Sequence, residues 1–300
     1  SMMAPPLLRP VLRRIRPADE EAQRLAEEAM LDKAVIADAQ SALLPTRGGL
    51  SSVLAAKVLD GLLLPSAHVT ILSVRERMTT TIPELEGVRQ VLAHRATDLL
   101  IETRRDDPAE SILKESKLGH RILTLGLNED FAGSHELSEP IQRVIADTTI
   151  PLLLVRHGTH VRSTRDLDGR EIRRILLGVT GTLQGRAAEE LAFRLATAFN
   201  AEVLAVHVVP QGPSDAEPSG AVTRQLDRVR EVASAFGSRS QVEARRGGGA
   251  SEMLLSAAHE WRADTIVLGA TVRPVDGRPF LGHGTEWLLE NARQTVISVV

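Results

Sequence analysis

The feature that most constrains this chain is an internal repeat. Val69-Thr-Ile-Leu-Ser-Val is answered by Val203-Leu-Ala-Val-His-Val, and Glu102-Thr-Arg-Arg by Glu243-Ala-Arg-Arg. Glu110-Ser-Ile-Leu is answered by Glu252-Met-Leu-Leu, and Leu123-Thr-Leu-Gly by Ile266-Val-Leu-Gly. The offset between copies grows slowly, from 134 at Val69/Val203 to 143 at Gly126/Gly269. Matches in the same order at a nearly fixed separation mean that one structural unit is built twice.

Within each copy, short apolar runs rich in Val, Ile and Leu alternate with longer stretches of helical periodicity. In the first copy the strands are expected at Ala42–Pro45, Val69–Val74, Leu99–Thr103, Ile122–Leu125 and Leu152–Val155. Helices are expected at 50–63, 82–95, 108–114 and 139–146. In the second copy the strands are Arg174–Val179, Val203–Val209, Gln241–Ala244, Thr265–Leu268 and Val296–Val300. Its helices are 186–199, 222–236, 251–261 and 286–291. Strands that alternate with helices make a parallel sheet with helices on both faces. The predicted fold class is therefore α/β: two tandem, doubly wound, mostly parallel five-stranded domains. The apolar last strand of each copy can pair with the other, giving a pseudo-twofold unit. The expected boundaries are a basic arm and acidic helix over 1–40, a first domain over 41–156, a polar linker over 157–170 and a second domain over 171–300.

The stretch with most chemical promise is Ala263–Glu286. Thr265–Leu268 breaks at Gly269, passes through a loop rich in Gly and Pro, and restarts at Gly282-His283-Gly284-Thr285 as the mouth of a helix. A parallel strand followed by a Gly-rich helix start presents backbone N–H groups and a positive dipole end at the carboxyl edge of a sheet, where a phosphate can sit. The same glycines also suit a turn that needs them only for backbone angles.

Composition excludes several classes. The formal charge is −3, and there are five Phe, two Trp and no Tyr, so neither a basic surface nor a base-stacking platform for nucleic acid is expected. Without cysteine there is no disulfide, thiol nucleophile or Cys-based zinc site. His157 and His160 have helical ligand spacing but no third ligand nearby, so no metal site is assigned. No catalytic residue is assigned either: a hydrolase needs a metal-bound carboxylate and a positioned water, and only Asp276 and Glu286 lie near the loop. At the start, Arg9, Arg13, Arg14 and Arg16 alternate with Leu8, Val11, Leu12 and Ile15, a mixture suited to a lipid headgroup surface or to a solvated arm. An exposed acidic helix should follow from Asp19 to about Ala39. Ser1-Met2 before Met3 reads as a cloning remnant, so the natural protein is expected to be longer.

These residues resemble the universal stress protein family, and the chain from about residue 41 resembles a tandem pair of such domains. The family pattern at the key loop is Gly, two residues, Gly, nine residues, then Gly-Ser or Gly-Thr. Gly269 and Gly282 hold its first and third glycines; Val272 replaces the second and His283 the hydroxyl residue. Where nucleotide-binding members carry Asp after the first strand, this chain has Thr180 in Val179-Thr-Gly-Thr. The resemblance implies ATP or another adenine nucleotide, with or without Mg, held by Thr180, Gly181, Thr182, Val208, Gly269, Ala270, Arg273, Arg278, Gly282, His283, Gly284 and Thr285. Val208 would offer backbone to adenine. In the first copy Gly126 is present, but Pro45-Thr46-Arg47 stands at the Asp run and the last helix opens as Ser138-Glu139-Pro140. No nucleotide site of the family's type is expected there.

The start, Pro5-Pro6-Leu7-Leu8-Arg9-Pro-Val-Leu-Arg-Arg, and the Arg278-Pro-Phe-Leu-Gly segment resemble the cytosolic tails of bacterial monovalent cation:proton antiporters. That resemblance implies a non-enzymatic cytoplasmic regulatory domain, a membrane transport domain upstream of residue 3 and a homodimer. A free-standing nucleotide-binding protein, a weak ATPase and a dimerisation tail without ligand are the alternatives.

Overall fold

The computed structural model describes residues 40–75, 83–103, 107–127, 137–167, 172–210 and 220–300. The basic arm, the acidic helix, Arg104 and Arg105 lie outside them. From residue 40 onward the described residues belong to one compact unit.

The first copy supplies β1 (Ser41–Pro45), α1 (Leu50–Leu62), β2 (His68–Arg75), α2 (Glu86–Val91), β3 (Thr97–Thr103), α3 (Pro108–Ser116), β4 (Ile122–Gly126), α4 (Glu139–Asp147) and β5 (Leu152–Arg156). The second supplies β6 (Arg174–Gly178), α5 (Leu183–Phe199), β7 (Glu202–Pro210), α6 (Gly220–Ala235), β8 (Arg239–Gly247), α7 (Ala250–Glu260) and β9 (Thr265–Gly269). A hairpin, β10 (Arg273–Val275) and β11 (Arg278–Phe280), then leads to α8 (His283–Asn291) and β12 (Thr295–Val299).

Both halves join one ten-stranded sheet with the order β3-β2-β1-β4-β5-β12-β9-β6-β7-β8. Read outward from the middle, each half has the same order, so the sheet is palindromic. Its strand pairs are parallel except at the centre, where β12 runs antiparallel to β5 with Val296 opposite Arg156 and Val299 opposite Leu153. The two halves are thus related by a pseudo-twofold through that pair.

Alternating side chains feed two cores, as a pleated strand buried on both faces requires. On one face Val155, Val267 and Ile297 pack with Leu54, Leu59 and Phe193 of the first helices. On the other, Leu154, Ile266 and Val296 pack with Val144, Ala257 and Leu288 of the later helices. On the first face α1 and α5 meet across the pseudo-twofold; a Cβ on Gly61 would lie 2.8 Å from the Phe199 ring.

Strand β8 runs over 239–247 instead of 241–244, so Arg245 and Arg246 lie within it, and two further elements differ from the sequence expectation. Helix α2 is confined to 86–91 behind a short 3₁₀ turn at 83–85, instead of extending to Arg95. Arg95 curls back to bond Leu63 O (3.0 Å) and Asp60 O (2.7 Å) at the end of α1, where helix carbonyls lack intrahelical partners. The region expected as an irregular loop after Gly269 contains the β10–β11 hairpin. Its turn residues Asp276 (φ 48°) and Gly277 (φ 77°) both take positive φ, as a two-residue hairpin of the primed type demands.

The central seam carries one buried cation. Arg156, 6 % exposed, donates to Ala292 O (2.7 Å), Gln294 O (3.0 Å) and His157 O (3.0 Å). Burial lowers its pKa to about 10. Arg156→Ala is expected to leave the Ala292 and Gln294 carbonyls without their donor and to lower unfolding free energy by about 3 kcal/mol, read by urea denaturation. A second buried charge, Glu189 on α5, is paired with Arg228 of α6 at 2.5 Å. Burial pushes its carboxyl above 4.5 despite Arg228 and Arg186. A raised folded value means that the native state holds the proton more tightly. Relative to Glu189→Gln, wild-type stability should be greatest below pH 4.5 and decline as pH rises through the raised value. A pH series of melts on both proteins checks this.

Candidate functional site

The carboxyl edge of each half is built by the same device. Thr46 N–H donates to Leu72 O at the end of β1, and Val179 N–H donates to Val206 O at the end of β6. These bonds fix the correspondence: Arg47 with Thr180, Gly48 with Gly181, Gly49 with Thr182, and Gly126 with Gly269. A Cβ on Gly126 would lie 2.7 Å from the backbone of Ser51 and Ser52; one on Gly269 would lie 2.3–2.4 Å from Gln184 and Gly185. In both halves the fourth strand therefore ends on glycine because the first helix of that half abuts it. This packing role exists whether or not a ligand is present.

In the second half, Thr180-Gly181-Thr182 forms the mouth of α5. Thr182 is its N-cap, and its hydroxyl accepts the Gly185 N–H at 3.0 Å, satisfying one of the helix's unpaired donors. The Thr180 and Thr182 hydroxyls are 2.9 Å apart. Thr180 also packs on Gly185, where a Cβ would fall 2.0 Å from its hydroxyl. Gly282 caps α8 with φ 91°, a conformation that favours glycine. His283 and Gly284 follow in the first turn, with Thr285 buried behind them. Gly284 faces Ser251 of α7, 3.8 Å from where its Cβ would be, and Leu254 of α7 lies 3.2 Å from a Cβ on Gly178. The starts of α5, α7 and α8 are thus gathered at the end of β6. Val208 lies on an overhang of β7, two residues past the last β6–β7 pair, Gly178 with Val206.

Other expected site residues are committed elsewhere. Ala270 is 2 % exposed and its N–H donates to Val299 O (2.8 Å), so it continues the sheet. His283 packs edge-on against Phe280, ring centroids 4.8 Å apart. Arg273 and Arg278 are exposed on the hairpin. Arg278 lines a groove of about 620 Å³ that faces the first half, with Val272, Pro274, Pro279 and Ile150 in its walls. Arg245, from the repeated Glu243-Ala-Arg-Arg run at the same edge of the sheet, sits inside β8 and is paired with Glu243 (2.5 Å) and Glu260 (2.8 Å).

Glu286, near the loop in the sequence, takes a part that the sequence did not assign to it. The Glu286 carboxylate accepts the Leu281 N–H at 3.0 Å, so a negative charge stands at the dipole-positive end of α8. An acid four residues after the capping glycine was the available signal. The site presents a strand overhang, hydroxyls and helix-mouth N–H groups, with the carboxylates of Glu286 in the first turn of α8 and Glu252 in the first turn of α7. Among the described residues no group of three metal-ligating side chains occurs.

Known proteins place this geometry. Residues 171–299 match the model of the Universal stress protein family. A universal stress protein from Archaeoglobus fulgidus DSM 4304 superposes with TM-score 0.58 at 18 % identity, covering 87 % of this chain and 98 % of that one. A protein of unknown function from Pseudomonas aeruginosa PAO1 gives 0.56 at 15 % identity, covering 90 % and 94 %. The cytoplasmic domain of a prokaryotic cation chloride cotransporter gives 0.51 at 12 % identity, covering 87 % and 95 %. No curated protein matches the sequence.

The packing role of the strand-end glycines is testable without any ligand. Gly269→Ala and Gly126→Ala should each destabilise by about 1–3 kcal/mol, Gly269→Ala more because its contacts are closer, as read by thermal melts. In strand order, strand-end glycine and helix mouths the two halves follow one pattern, and residues 171–299 are similar in sequence to the Universal stress protein family.

Proposed function

We propose that this chain is a non-enzymatic regulatory domain of a monovalent cation:proton antiporter, whose second half senses an adenine nucleotide. In this reading it is the cytoplasmic tail of a membrane protein and works in a dimer. The observation that carries the ligand part is the convergence of three helix starts on the end of β6 beside the overhanging Val208. Adenine would lie along that overhang, and phosphate oxygens would meet N–H groups at Gly282–Thr285. The regulatory part is supported by the Arg-rich start of the sequence and by the use of this fold as the cytoplasmic domain of a cotransporter. Among the described residues no helix is long and apolar enough to cross a membrane, so a span would belong to another part of the protein. Binding would act by favouring one conformation of the tail over another.

A second reading, an assembly element that binds nothing, is favoured by two observations. Gly269 is required by helix packing alone, and Glu286 places an anion where phosphate would go.

Calorimetric titration with ATP, ADP, AMP and cyclic nucleotides, with and without Mg, separates the readings. The sensor reading expects saturable heat that is lost in Gly282→Val. It should also be lost in Gly181→Glu, where an exposed glycine with room for a side chain gains a charge at the α5 mouth. Absence of heat and of any thermal shift at millimolar nucleotide would favour the assembly element. Phosphate release in the presence of Mg would instead indicate an ATPase.

A further inference from the structure

The first half, where no nucleotide site was expected, holds a cavity of about 280 Å³ at the matching place. It opens at the carboxyl ends of β1, β2 and β4, between the starts of α3 and α4. Its walls are Leu72, Val74, Pro108, Ile112, Pro140 and Ile141, with Arg47 at the mouth. The volume stands just below the range of about 300–1,000 Å³ usual for ligand pockets, which suits a small molecule and not a nucleotide.

The chemistry differs from that of the second half at several equivalent positions. Pro108 opens α3 where Ala250 opens α7, and Pro140 occupies the first turn of α4 where Gly284 occupies that of α8. Each proline removes a backbone N–H donor. The Asp107 carboxylate fills the α3 mouth: it accepts the Ala109 N–H at 3.0 Å and is paired with Arg143. Glu139 adds a negative charge to the first turn of α4. A phosphate group would meet few donors and two carboxylates. One cation remains. Arg47 stands where the second half has Thr180, and among the described residues its guanidinium has no ion-pair or hydrogen-bond partner. The Ser138 hydroxyl also lines the cavity and makes no capping bond.

From this combination of an apolar slot, proline-blocked helix mouths and one unpartnered arginine, we propose that the first half binds a small apolar carboxylate. The hydrocarbon or aromatic body lies between Leu72, Val74, Ile112 and Ile141, and the carboxylate meets Arg47 and the Ser138 hydroxyl. No bond is made or broken. The site is independent of nucleotide binding in the second half.

The test compares phenylacetate with phenylacetamide, which have the same body with and without charge, on the intact chain. Binding is followed by thermal shift and by ¹H–¹³C methyl spectra of Ile112 and Ile141. Phenylacetate should bind about tenfold more tightly than the amide, and added salt should erode the difference because Arg47 is exposed. Arg47→Gln should abolish the preference while leaving the unliganded melting temperature unchanged. Ile141→Trp should fill the slot and weaken both probes; if that variant does not fold, the Arg47→Gln comparison decides alone. Equal binding of acid and amide, a preference that survives Arg47→Gln, or no methyl shift with either probe would overturn the proposal. Gly282→Val should leave phenylacetate binding intact, so failure of the nucleotide reading and failure of this one are distinguishable.

Discussion

The structure depends on the antiparallel contact between β5 and β12. Each half alone would end in a largely apolar strand, Leu152-Leu-Leu-Val or Val296-Ile-Ser-Val, with an unpaired row of N–H and C=O groups along its edge. Such an edge is a template for pairing with another chain. Here each half closes the other, and the residues of both strands are buried. Arg156 reinforces the seam from the side. Its guanidinium, carried by a strand of the first half, is spent on carbonyls between α8 and β12 of the second. A buried arginine without a carboxylate partner is costly, and the compensation is that three backbone acceptors near a helix end are satisfied at once.

Most of the fold was legible because two periodicities stay separate along the chain. Val203–Val209 and Leu152–Val155 are too short and too dominated by β-branched and aliphatic residues for helices, whereas 186–199 repeats its apolar residues at helical spacing. Even the central pairing follows from two apolar strands in need of cover. The errors came where a distant partner outweighed local preference. Nothing near Arg95 says that it will leave its helix to bond carbonyls at the end of α1. The hairpin after Gly269 did carry a local signal, Asp276-Gly277, but Pro274 and Pro279 argued against strands. They are tolerated because β10 and β11 form a separate two-stranded ribbon, where a missing donor can face outward.

The site was legible in outline and ambiguous in meaning. Gly269 fits a phosphate-binding pattern, yet Gly126 has the same packing environment in a half where proline stands in the first turns of α3 and α4. A glycine that helix packing demands is weak testimony for a ligand. The more informative differences between the halves lie at Arg47 and Thr180, at Pro108 and Ala250, and at Pro140 and Gly284. They change charge and donor count while leaving the backbone path alone. Read singly, these residues say little. Their meaning appears only when the sheet registers show which position in one copy answers which in the other.

The reversal of direction at the seam has a geometric consequence. Parallel strands within a half all point one way, so each crevice lies at the rim to which its own strands point. Because β12 runs against β5, the two crevices are related by the seam's pseudo-twofold and do not open side by side. The strands β4, β5, β12 and β9 stand between them. A molecule seated in one crevice therefore does not touch a molecule seated in the other.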